Sequence, residues 1–185
     1  MKALVTGSAA FIGSNVVRAL LAEGHDVRAL HLPNEDTRNL RGLDVERASG
    51  DVTSLDSMRT AMRGRDVVFH LAAVYALWTK DAGVMQRVNV EGTRTVLEAA
   101  RAEGVRRVVH TSSETSPFAL GVTGDAYSQS KADAHEVAVA AARDQDVVIV
   151  APCGPIGPGV RARGVTCDAQ GNGIWTTVPE PQNGK

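Results

Sequence analysis

Tyr127 and Lys131 stand four residues apart in Tyr127-Ser128-Gln129-Ser130-Lys131. On a helix that spacing puts a phenol and an ammonium on one face, one turn apart. A phenol with a pKa of about 10 is a poor acid-base catalyst at neutral pH. A fixed neighbouring cation favours the phenolate and lowers that value. A shift of about 3 units takes roughly 4 kcal/mol, of which one close lysine in a partly dry site could supply much. The pair predicts proton transfer at a substrate oxygen. By itself the spacing also describes an ordinary exposed helix pair, so its weight depends on what precedes it.

Short apolar runs alternate with longer helical patterns ahead of the pair. Strands are expected at Lys2–Val5, Val27–Leu30, Val45–Ala48, Asp66–Leu71, Val105–Thr111 and Val147–Ala151. Val45–Ala48, interrupted by Glu46 and Arg47, reads as an edge strand, and Val147–Ala151 as a buried one. Helices are expected at Phe11–Glu23, at Ser54–Met62 with Ser54 as N-cap, at Ala82–Glu103 and at Ala126–Arg143. This alternation predicts an α/β fold, a doubly wound parallel sheet with helices on both faces and strand order 3-2-1-4-5-6. The domain is expected to span 1–160. After the Pro- and Gly-rich stretch 152–160, residues 161–185 read as an irregular tail, with at most one short strand around Ile174–Val178.

Thr6-Gly7-Ser8-Ala9-Ala10-Phe11-Ile12-Gly13 lies between the first strand and the first helix. Gly7 allows a tight turn, Gly13 lets the helix approach the sheet, and the helix start offers amides to a diphosphate. Ala10 stands where a glycine is expected to let backbone approach that group. Ahead of a ribose the second strand ends His31-Leu32-Pro33-Asn34, with neither an acidic residue nor an arginine. Arg38 and Arg41 follow and could reach a 2′-phosphate, which leans the choice to NADP over NAD, with solvated loop arginines as the plain alternative.

Hydrophobic residues make up 43% of the chain and charged residues 22%, enough for a core without disulfides. A net charge of -1 gives no basic field for nucleic acid or an anionic membrane. Cys153 and Cys167 form neither a disulfide framework nor a metal spacing, and the histidines show no ligand pattern. His70 and His110 read as packing residues near the cleft, and Cys153 as a small buried hydrophobe. No apolar run would span a bilayer, and the first strand leaves no room for a signal peptide, so a cytoplasmic setting is expected.

The ordered set extends beyond the glycine turn. It includes Gly50-Asp51-Val52, His70-Leu71-Ala72-Ala73, Val88–Thr93, Thr111-Ser112-Ser113 and the Tyr/Lys pair. With these segments the chain resembles the extended branch of the short-chain dehydrogenase/reductase superfamily, among NAD-dependent epimerase/dehydratase and dihydroflavonol-reductase-like proteins. Tyr75–Trp78 with Arg87–Thr93 looks especially like the hopanoid-associated sugar epimerase group.

The resemblance implies a cofactor site of Gly7, Ala10, Phe11, Ile12, Gly13, Asp51, Val52, Leu71, Ala72, Ala73 and Lys131. Within it, Asp51 would bind the adenine amine. It also implies catalysis by Tyr127, Lys131, Ser113 and Asn89, with Ser112 as a possible substitute for Ser113. Tyr127 would exchange the substrate proton, Lys131 would tune it and hold the nicotinamide ribose, and Ser113 would polarise the substrate oxygen. Turn capping by Asp51, tight packing at the alanines and a plain mid-helix polar role for Asn89 are the structural alternatives. Implied partners are a small-molecule substrate and a second copy docked through the long helices, with no nucleic acid or membrane.

The chain departs from the family in the short segment Glu114–Ala126 and after Gly157-Pro158-Gly159. There the usual substrate lobe is not recognisable, and the cleft is expected to be open on one side. A non-redox cyclase, dehydratase or isomerase using the same pair, and a non-catalytic dimeric scaffold, are the competing readings. Tyr75 and Trp78 would line a pocket for a ring-bearing compound or cover the start of the long helix.

Overall fold

The computed structural model describes residues 1–75, 81, 83–114, 125–155, 164–167 and 173–176. The first three strands are β1 (Lys2–Thr6), β2 (Asp26–His31) and β3 (Glu46–Ser49), followed by β4 (Val67–His70), β5 (Arg107–Thr111) and β6 (Val147–Val150). The helices are α1 (Phe11–Ala22), α2 (Leu55–Met62), α3 (Gly92–Ala102) and α4 (Ala126–Ala141). All six strands run parallel in the order β3-β2-β1-β4-β5-β6. The winding reverses between β1 and β4, so their carboxyl ends flank the crevice where such sheets bind ligands.

The sheet alternates its side chains between two apolar layers. Ala3, Val5, Val27 and Ala29 pack with Val17 and Leu20 of α1. Leu4, Leu30, Val68 and Val108 pack with Met58 and Met62 of α2 and with Val96, Leu97 and Ala100 of α3. Ser54 caps α2 by accepting from the Ser57 amide at 3.3 Å, as its position before the apolar run implies. Asp125 caps α4 in the same way, accepting from the Ser128 amide at 2.8 Å.

Three expectations about elements are corrected. The expected helix Ala82–Glu103 is not uniform, because Gln86–Glu91 forms a π-helical turn ahead of α3. An extra residue in that turn widens the helix around Asn89, a distortion that often serves a site. β6 is not a buried strand. Val148 is 39% exposed and Val150 46%, since β6 is an edge and only its Val147 side packs against the main core. Within 161–185, two strands form where at most one was expected. β7 (Gly164–Cys167) pairs antiparallel with β8 (Gly173–Thr176), Thr166 opposite Ile174. The expected tight loop between Ser113 and Tyr127 falls mostly outside the described residues, as do Trp78 and Gly157–Gly159.

Candidate active site

At the switch point the glycine turn closes against the exit of β4. Gly7 has φ +63°, and a Cβ there would stand 2.8 Å from the Ala72 amide nitrogen. A Cβ on Gly13 would stand 2.1 Å from the Gly7 carbonyl oxygen. Both positions therefore need glycine, one for its backbone angle as well as space and the other for close helix approach. α1 begins with no side-chain cap at Ala10, which leaves its first-turn amides to outside acceptors. Ala10 is exposed, and Phe11 and Ile12 are half-buried. Ser8 fixes the turn from below by donating its hydroxyl to the Leu30 carbonyl at 2.8 Å. Asn39 holds it from the side, donating to the Ala9 carbonyl at 2.9 Å.

Asp51 accepts at one oxygen from both the amide and the hydroxyl of Thr53, at 2.9 and 2.8 Å. It thus caps its own turn. The Val52 side chain lies in the core. Leu71 and Ala72 are half-buried and Ala73 is exposed.

Tyr127 and Lys131 share one face of α4, as their spacing requires. The Lys131 ammonium donates to the Thr111 carbonyl at 2.7 Å. Lys131 is 4% exposed, and burial lowers its pKa to about 8. Ser113 hydrogen-bonds the Tyr127 phenol. Ser112 is buried elsewhere, bonded to His135 Nδ1 at 3.0 Å. Of the two serines, the structure brings Ser113 to the tyrosine.

The expected lowering of the Tyr127 pKa by Lys131 is corrected. Burial raises it, with Tyr75 and Asp125 adding to the rise, and only the Ser113 hydrogen bond pulls the other way. The lysine head is directed to the end of β5, where the Thr111 carbonyl oxygen accepts its hydrogen bond, rather than to the phenol.

Asn89, on the π-helical turn, is buried and fully engaged. Its Oδ1 accepts from the Val74 amide at 2.7 Å, and its Nδ2 donates to the Val74 carbonyl at 3.1 Å and to Ser130 Oγ at 2.9 Å. Ser130 in turn donates to the Tyr127 carbonyl at 2.8 Å. Asn89 thereby ties the segment after β4 to the first turn of α4. No water is needed for that link.

Sequence reasoning missed a second group, centred on His70. The Thr6 hydroxyl oxygen accepts from the amides of Leu71 and Ala72, both at 3.1 Å. Its own proton therefore goes to His70 Nδ1, 2.9 Å away. On the far side Thr93 donates to the Asn89 carbonyl at 2.6 Å, so it accepts from His70 Nε2, 3.1 Å away. The chain of donors fixes one neutral tautomer, with the proton on Nε2. Burial, helped by Lys131, lowers the His70 pKa to about 3. Thr6, His70 and Thr93 all stand inside the quoted motifs, yet nothing in their spacing shows that they meet.

His110 lies beside His70, their ring centroids 5.5 Å apart. Both of its ring nitrogens are buried with no hydrogen-bond partner. Burial, with His70, Lys131 and His135, lowers its pKa to about 2. Cys153 is exposed rather than buried. A cavity of about 500 Å³ opens between β2, β3 and α2, lined by Arg28, Glu46, Asp56 and Arg63 among others. It shares no residue with the Tyr127 cluster, and its charges are partly accounted for by the Arg28–Glu46 ion pair at 2.7 Å. Among the described residues no group of three or more His, Cys, Asp or Glu is placed to hold a metal ion. Nor is any of their helices long and apolar enough to cross a membrane.

A parallel sheet in this order, with a glycine turn and an uncapped helix start at its switch point, defines a Rossmann-type dinucleotide-binding fold. The sequence profile of the NAD dependent epimerase/dehydratase family matches residues 3–169, and the chain belongs to that family. It is 41% identical over 172 residues to a Synechocystis sp. protein provisionally named dihydroflavonol 4-reductase, covering 83% of this chain and 49% of that protein. It is also 41% identical over 175 residues to sterol demethylase protein B of Methylococcus capsulatus, covering 85% of this chain and 52% of that protein. A solved structure of DesIV, the dTDP-glucose 4,6-dehydratase of Streptomyces venezuelae, as a double mutant with NAD bound, matches at TM-score 0.76 and 31% identity. That match covers 85% of this chain and 57% of DesIV. The chain spans about half the length of the curated relatives it matches.

Proposed function

We propose that the chain carries the coenzyme and proton-transfer half of an oxidoreductase or epimerase-like enzyme acting on a carbonyl or hydroxyl of a small molecule. The observation that carries this reading is the contact of Ser113 with the Tyr127 phenol at the carboxyl end of the sheet, with Lys131 buried on the same helix face. The glycine turn fits a dinucleotide, because Gly7 and Gly13 keep side chains out of a turn whose helix start has no side-chain cap.

A bound nicotinamide dinucleotide supplies or accepts the hydride in such chemistry. Phe11, Ile12 and Gly13 would face its diphosphate with their amides, and Ala72 and Ala73 would pass it with backbone. Arg38 is engaged by Asp36. Arg41, exposed just beyond it, is therefore the cation offered to a 2′-phosphate, which supports NADP in this reading.

Tyr127 gives its proton to the substrate oxygen. Raised above its ordinary value, the phenol keeps its proton at neutral pH and gives it up less readily, so the basic alkoxide left by hydride delivery is what draws the proton. Ser113 holds the same oxygen by a second hydrogen bond. Asn89 and Ser130 keep the first turn of α4 in register with the segment after β4.

Tyr127→Phe tests the reading. NADPH-dependent reduction of carbonyl compounds should fall by about two to four orders of magnitude, the usual worth of a positioned acid. Coenzyme binding, read by NADPH fluorescence, should stay within about twofold of the parent. Unchanged turnover in this variant, or no binding of either NADPH or NADH by the parent chain, sinks it.

A further inference from the structure

We infer that Tyr75 is the platform on which substrate rests, and that it selects flat, ring-bearing carbonyl compounds over small aliphatic ones. This rests on the reading of Tyr127 as proton donor and adds the class of molecule to it.

The Tyr75 and Tyr127 rings meet edge to face, centroids 4.8 Å apart and planes at 84°. Tyr75 remains 54% exposed there, beside the phenol that Ser113 also touches. The backbone just ahead of it is held as well. Asn89 grips both the amide and the carbonyl of Val74, the residue before it. The same Asn89 bonds Ser130, and Ser130 bonds the Tyr127 carbonyl. Tyr75 and Tyr127 are thus joined twice, ring to ring and through a chain of buried and partly buried hydrogen bonds.

A ring held this way loses little freedom when a second flat group packs on it, so the contact goes into affinity. The exposed part belongs to a ring that meets Tyr127, the proton donor of this reading, to which a substrate carbonyl must come. Apolar, aromatic walls with a few fixed polar groups are the usual make-up of small-molecule sites. A short aliphatic ketone reaches Tyr127 and Ser113 without covering Tyr75. An aryl ketone covers it.

The test compares 2-acetylnaphthalene with 2-butanone as substrates of the 185-residue chain and its Tyr75→Ala and Tyr75→Phe variants, using NADPH and NADH. Tyr75→Ala should cut kcat/KM for the naphthyl ketone about tenfold, through KM, as loss of one aromatic contact predicts. Because the Tyr75 ring also meets Tyr127, turnover of 2-butanone should fall too, but by less than about threefold, and Tyr75→Phe should keep the parent's ratio between the two ketones. Binding of 2-acetylnaphthalene to Tyr127→Phe is followed in parallel by saturation-transfer NMR, with and without the Tyr75→Ala change. Equal losses for both ketones, equal naphthyl binding with and without the Tyr75 ring, or no naphthyl binding at all overturns the platform. Tyr75-dependent binding with no hydride transfer leaves the platform standing and removes the redox reading instead.

Discussion

His70 and His110 are register partners on β4 and β5, both 2% exposed, yet their surroundings differ sharply. The end of β4 is saturated. Each nitrogen of His70 has a threonine, each threonine has a backbone partner, and the donors run in a single direction. The end of β5 is not. Among the described residues His110 has no protein partner at either nitrogen, and Lys131 lies close enough to depress its pKa. A saturated buried network rigidifies, while unpaired buried groups cost stability. The first arrangement builds the wall between the glycine turn and the π-helical turn. The second sits near Lys131 of the Tyr127 cluster.

The largest expected effect breaks the saturated end. His70→Leu removes both ring bonds and leaves two buried threonine hydroxyls short of a partner, which should cost about 2–4 kcal/mol in urea unfolding at neutral pH. A loss below about 1 kcal/mol would mean that the network is ornamental to stability.

Lys131→Met tests the strained end from the alkaline side. The native pKa of Lys131 is lowered from 10.5 to about 8. Between those values the unfolded chain binds a proton that the native chain does not, so stability rises with pH across the window. From about pH 8 to about pH 10 the parent should gain about 2–3 kcal/mol relative to Lys131→Met. Parallel pH profiles for the two proteins would contradict the burial of the charge.

His110→Leu sharpens the comparison from the acid side. His110 is lowered from 6.5 to about 2, so its contribution is intact above pH 6.5 and lost as the pH falls. Near pH 5 the unfolded chain gains a proton that native His110 refuses, worth about 2 kcal/mol. Denaturant midpoints near pH 5 and pH 7 should therefore lie closer together in His110→Leu than in the parent. His70, lowered to about 3, should keep the remaining part of the acid sensitivity. An undiminished gap would show that His110 is not the second acid-sensitive group.

Some of this was legible in the residues. The order of strands followed from alternating apolar runs and helical periods, and Gly7 and Gly13 marked the turn by their place between them. The β6 error came from apolar content alone. Val148 and Val150 are apolar but face an uncovered side of an edge strand, and a run of four such residues looks the same whether one face is covered or both. The π-helical turn was hidden for a similar reason, since Val88–Gly92 keeps helical composition through the extra residue.

What the sequence determined by itself is local. The Tyr127–Lys131 spacing guarantees a shared helix face, and a glycine between strand and helix guarantees room for a turn, because both depend on a few neighbouring dihedral angles. Tertiary structure decided the direction of the Lys131 ammonium toward Thr111, the rise rather than fall of the Tyr127 pKa, and the pairing of His70 with Thr6 and Thr93. Those outcomes depend on groups from different strands and helices arriving at one buried place, where lost hydration makes each available partner decisive.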